Sequence, residues 1–165
     1  DITSKEIHIP VTTGMVSHYC WSKSNDILMY ASVDGRDGHY FLSLSDLSFH
    51  DFYPDVLDSD GHQSISECGS FVLVDTYPNK YRVQKLYCFD LNSSGYSIVA
   101  EVTHPRTFQS PDIYHHWCCD LHPRFHSEGY SFDLIFDNKR SLCIVPLDNT
   151  DGSVILSDVA DVCNN

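Results

Sequence analysis

The stretch Cys119-Asp120-Leu121-His122-Pro123-Arg124-Phe125 decides how the chain is read, because its frame occurs three times. His122 stands three residues before Phe125 and seven before Gly129. His62 stands three before Ile65 and seven before Gly69, and His18 stands three before Trp21 and seven before Asn25. Each copy then runs into a short apolar segment: Ile27–Ala31, Phe71–Val74 or Phe132–Phe136. Internal repeats of this kind decide the architecture. Glycine and asparagine take a left-handed backbone more readily than other residues. The frame therefore predicts a turn at the shared offset, with a strand after it.

Around each histidine the sequence reads as short strands rich in aromatic and β-branched residues, with no sustained helical period. The first unit predicts strands near 18–22, 27–32, 39–44 and 49–53, with Asp34-Gly35 and Asp37-Gly38 as turn signals between the second and third. The second predicts 62–66, 70–76, 83–90 and 96–102. The third predicts 122–126, 130–136, 140–146 and a last strand near Val154–Ser157. The step from His18 to His62 is 44 residues and that from His62 to His122 is 60. The excess lies in 103–118, which holds Tyr114-His115-His116-Trp117 and reads as a long loop between repeats.

Four-stranded units of about 44 residues are the signature of propeller blades. The expected fold is all-β, with three consecutive four-stranded blades at approximately 15–59, 60–103 and 119–157. Closed propellers have about four to eight blades. Three blades are therefore expected to be a fragment or part of a larger propeller, completed by further blades or by a partner chain.

Bulk composition narrows the function. A chain of 165 residues, 42% of them hydrophobic, buries about two-thirds of its unfolded surface in one core. A net charge of -13 speaks against nucleic-acid binding, which needs Lys and Arg to displace counterions. No apolar run approaches the ~20 residues of a membrane helix. The seven cysteines form no C-x-x-C pair and read as buried free thiols, which favours a cytoplasmic setting. A start at Asp1 reads as processed, which leaves the periplasm or secretion open.

Asp60-Gly61-His62 with Ser64, then Val74-Asp75-Thr76-Tyr77-Pro78, then Cys119 to Phe125 and Phe132-Asp133 resemble a branch of TolB-like β-propellers. Members of that branch are often named oligogalacturonate lyases. The resemblance covers residues 60–147, while 15–59 matches only as a generic blade. It implies a seven-bladed propeller with a divalent metal, often manganese, in the central channel. Histidines and a glutamine hold that metal in the family, and another histidine lies close to the proton being removed. The family's Gln-x-x-His-x-His string is absent here.

The repeat register makes His18, His62 and His122 the metal candidates, and of these His62 and His122 match the resemblance by position. His122 and Arg124 are the catalytic candidates, and Asp75, Tyr77 and Arg124 the substrate contacts. The substrate would be an acidic oligosaccharide cleaved by β-elimination beside a uronic carboxylate. A metal on that carboxylate offsets the growing negative charge. A neutral imidazole takes the proton, and the planar Arg124 fork pairs with a carboxylate. The same histidines have a plain reading, in which each ties one blade to the next. Asp60 and Asp120, each two residues before a histidine, would orient the rings or cap turns. The alternative function is a non-catalytic propeller that binds a glycan or protein partner.

Overall fold

The computed structural model describes residues 3–7, 9–12, 14–108, 110, 112 and 119–146. Strands β1 (Val16–Trp21), β2 (Ile27–Val33), β3 (Arg36–Leu42) and β4 (Phe49–Asp51) pair in chain order into one antiparallel sheet. A second four-stranded sheet follows the same plan, with β5 (Gln63–Ile65), β6 (Phe71–Asp75), β7 (Val83–Asp90) and β8 (Gly95–Thr103). The third sheet has three strands, β9 (Arg124–His126), β10 (Gly129–Phe136) and β11 (Lys139–Pro146), with β10 in the middle. The all-β, blade-like architecture read from the sequence is therefore present. Among the described residues the only helical element is the turn Arg106–Phe108, and no helix is long and apolar enough to cross a membrane. The fourth strand expected near Val154–Ser157 and the cluster Tyr114 to Trp117 lie outside the described residues.

Each opening strand starts within two residues of a repeat histidine: Val16 by His18, Gln63 by His62 and Arg124 by His122. Asn25 and Gly69 have φ of 66° and 79°, the left-handed backbone that the shared offset predicts. Gly129 is glycine for a different reason. It opens β10 against Pro146, and a Cβ there would lie 2.0 Å from the Val145 carbonyl oxygen. The hairpin between β2 and β3 is closed by Asp34 and Gly35 alone, at φ 51° and 78°. Two left-handed residues match the twist of the flanking strands. Asp37-Gly38, expected as a second turn signal, lies inside β3, where Gly38 faces Ala31. The hairpin between β10 and β11 repeats the device with Asp137 and Asn138, at φ 46° and 57°.

The chain divides into two compact units between Asp60 and Gly61. In the first, Met29, Ala31, Tyr40 and Leu42 form a small core on one face of the sheet. In the second, Leu73 and Leu86 of the four-stranded sheet pack with Leu121, which precedes β9, and with Tyr130 and Phe132 of the three-stranded sheet. Strand β10 shows how the sequence directs this. Tyr130, Phe132 and Leu134 alternate with Ser131 and Asp133, so one face of the strand is buried. Burying each such large side chain contributes about 1.5–3 kcal/mol. On β11, Leu142 and Ile144 stay 58% and 64% exposed, an apolar face of the kind an adjoining blade covers.

Candidate metal centre

Asp75 ends β6, the strand buried along most of its length, and is itself only 2% exposed. A carboxylate in that position must find donors or lose its charge. It finds three. The His62 backbone N–H donates to Oδ1 at 2.5 Å, and the His122 backbone N–H donates to Oδ2 at 2.9 Å. Between them the His62 ring Nδ1 lies 3.2 Å from Oδ1 and 3.1 Å from Oδ2. An ionised carboxylate only accepts, so this contact requires the proton on Nδ1. The lone pair of the neutral ring is then on Nε2, pointing away from Asp75.

The backbone around His62 is built for this approach. A Cβ on Gly61 would lie 1.9 Å from the Asp75 carbonyl oxygen, so only glycine allows the two strands to come so close. The Gln63 side chain donates to the Gly61 carbonyl at 2.8 Å, and Asp75 N–H donates to the His62 carbonyl at 3.2 Å. His122 arrives from the other sheet with φ 43°, a left-handed backbone that costs a side-chain-bearing residue roughly 1 kcal/mol. Neighbouring bonds hold it there. Asp133 N–H donates to the Leu121 carbonyl, and Phe125 N–H donates to Ser64 Oγ at 3.0 Å, tying β9 to β5.

The two imidazoles meet with ring centroids 3.6 Å apart and planes inclined by 37°. Asp120 joins them. One ligand atom each from His62, Asp120 and His122 lies within 4.8 Å of the other two. His62 is buried, while Asp120 and His122 are partly exposed, so the cluster opens on one side. Tyr77, 40% exposed, stands edge-on to His62 at 6.2 Å. Burial holds the His122 pKa below the usual imidazole value, with His62 and Arg124 acting in the same direction and Asp75 and Asp120 against it. The neutral ring is the form that ligates a metal.

Of the three histidines that the repeat singles out, His62 and His122 come together. His18 belongs to the other unit, where its Nδ1 lies 3.1 Å from Asp60 Oδ1 while Ser17 Oγ donates to Asp60 Oδ2 at 2.7 Å. The two aspartates also depart from expectation. Asp60 bonds to His18, and Asp120 stands among the ligand atoms themselves. Asp75, expected as a substrate contact, faces inward with its oxygens on backbone and ring donors. Arg124 opens β9 on the exposed side, near enough for its charge to act on His122.

The donor set fits a divalent ion. Two imidazoles and a carboxylate with open positions are the pattern of catalytic sites for zinc and related first-row ions. The negative charges of Asp75 and Asp120 together balance a dication. A carboxylate behind a ligating histidine is the arrangement that fixes ring orientation and raises ligand basicity in metal sites.

The crystal structure of TolB from Acinetobacter baumannii is similar to this chain with a TM-score of 0.58 and 15% identity. The match covers 85% of this chain and 31% of that one, so the chain spans about a third of the structure it resembles. At this identity the likeness concerns the fold alone, an all-β fold of propeller-like blades. It does not extend to the lyase branch. No protein family and no curated protein sequence matches the chain.

Proposed function

We propose that the chain is part of a β-propeller that binds a divalent ion on His62, Asp120 and His122 and acts on a carboxylate-bearing sugar. The blades would run over 15–59, 60–103 and 119–157, with 103–118 between the second and third. One observation carries the reading. Two repeat-related histidines, each just ahead of the first strand of its sheet, converge on one buried carboxylate, with a second carboxylate at ligand distance.

The reaction class comes from the resemblance to oligogalacturonate lyases, as does manganese as the ion. When bound, the ion supplies positive charge against the negative charge that grows on a carboxylate as the neighbouring proton leaves. Arg124 binds a second substrate carboxylate through its planar fork, and Tyr77 offers a flat edge beside the ring pair. A nitrogen that ligates an ion has no lone pair left for a proton. In this reading His122 is a ligand first, and the proton acceptor is another group.

The test is to titrate the purified chain with manganese, then incubate the loaded protein with oligogalacturonides and follow the ultraviolet absorbance of the conjugated double bond that elimination creates. Binding with product formation, both lost in His122→Ala, supports the lyase reading. Metal uptake without product in a protein that retains the sugar indicates a non-catalytic, glycan-binding propeller. No uptake at all refutes the metal centre.

A further inference from the structure

We infer that Asp75 is the positioning residue of this centre: it sets the tautomer of His62 and holds His122 beside it, so that the two rings present their ligating nitrogens to one place. The inference rests on the metal reading for its purpose, but its physical content is independent of any ion.

The donor count requires a carboxylate. Three N–H groups converge on Asp75, namely the His62 backbone, the His62 ring and the His122 backbone. Both oxygens are engaged, Oδ1 with the His62 backbone and ring, Oδ2 with the ring and His122. An asparagine of the same shape has one acceptor oxygen and one NH2 group. Whichever way its amide turns, the NH2 faces at least one of these N–H donors. A buried donor without an acceptor is costly, more so than the bond it replaces. The acidic side chain is therefore specified by hydrogen bonding as well as by charge.

The consequence at the site is geometric. With Nδ1 held as a donor, His62 has only Nε2 to offer a ligand, on the side of the ring away from β6. The bond to His122 fixes the left-handed backbone at φ 43° that brings the second ring to 3.6 Å from the first. Gly61 completes the arrangement, because any side chain there would push the His62 strand off Asp75. One side chain thus controls a ring's protonation site on one sheet and a backbone position on the other.

The experiment compares wild type with Asp75→Asn in the full chain, using nitrogen-15 imidazole spectra of the metal-free protein and a cobalt(II) titration. Wild-type His62 should show the Nδ1–H tautomer, and the variant should lose it. Cobalt affinity should fall by about 10–100-fold in the variant, with the far-ultraviolet spectrum of the sheets retained. An Nε2–H tautomer in wild type, or an unchanged tautomer and affinity in the variant, would overturn the inference. The wild-type spectrum decides the matter even if the variant fails to fold. A wild type that binds no cobalt yet shows the Nδ1–H tautomer, lost on substitution, would sink the metal reading while upholding the role of Asp75.

Discussion

Asp75 Oδ2 accepts the backbone N–H of His122 at 2.9 Å, joining residues 47 positions apart and two separate sheets. Through the same carboxylate His122 is coupled to His62, whose backbone and ring bond to it as well. The candidate centre is therefore set at a seam between sheets. Its geometry depends on how closely β5, β6 and the segment before β9 approach one another.

That closeness leaves no room for a side chain at Gly61. In Gly61→Ala the new methyl group meets the Asp75 carbonyl oxygen, a backbone atom that cannot rotate away. A loss of about 1–3 kcal/mol in urea unfolding is expected, with a matching loss of metal affinity. An alanine variant as stable as wild type would mean that the strands are not in this contact.

Tyr130 makes the opposite prediction. Its ring is buried at 1% exposure, but among the described residues its hydroxyl has no hydrogen-bond partner. Tyr130→Phe keeps the stacking on Phe132, 6.5 Å between centroids, and removes the buried polar atom. Stability should be unchanged or higher by about 1 kcal/mol. A clear loss would reveal a partner for the hydroxyl.

The thiols should differ sharply in reactivity. Burial pushes the Cys20 pKa up to about 12 and that of Cys88 to about 11. Exposed Cys68 is held below the ordinary value by the Ser66 hydroxyl, with Ser70 also contributing. Alkylation at pH 8, read by peptide mass spectrometry, should mark Cys68 before Cys20, Cys88 or Cys119. The raised values also set a direction for stability. The folded state favours the protonated thiols, so their contribution is intact below the unfolded value near 9 and is lost as the pH rises through about 11 and 12. Unfolding midpoints should fall across that alkaline range. A faster reaction at Cys88 than at Cys68 would contradict the burial pattern.

Much of this was legible in the sequence, for local reasons. Alternation in Tyr130, Phe132 and Leu134 marks a strand without knowledge of its neighbours, and Asp34-Gly35 marks a two-residue hairpin. The repeat frame picked out His62 and His122 because each stands just ahead of the first strand of its sheet. What could not be read was convergence. Nothing near Asp75 in the sequence says that three donors from two segments will meet it. Asp120 looked like a helper of His122 because spacing shows proximity but not direction. Asp60, at the same offset before His62, turns to His18. Gly129 matched the pattern for a different physical reason, the Val145 carbonyl and not a left-handed turn.

Metal should appear as stability. An ion that binds only the folded state at a hundred times its dissociation constant adds about 2.7 kcal/mol. Manganese or cobalt should raise the melting temperature of wild type, and a chelator should reverse the rise. His62→Ala should abolish the effect, while Ser17→Ala in the first unit should leave it unchanged. Equal stabilisation of His62→Ala would place the binding elsewhere on this acidic chain.

The most direct measurement is anomalous diffraction from crystals grown with cobalt or manganese, recorded at the absorption edge of the ion. The account predicts a single strong peak bounded by His62, Asp120 and His122, with His62 Nδ1 still on Asp75. Peaks confined to surface carboxylates, with the two rings stacked and no ion between them and Asp120, would contradict it.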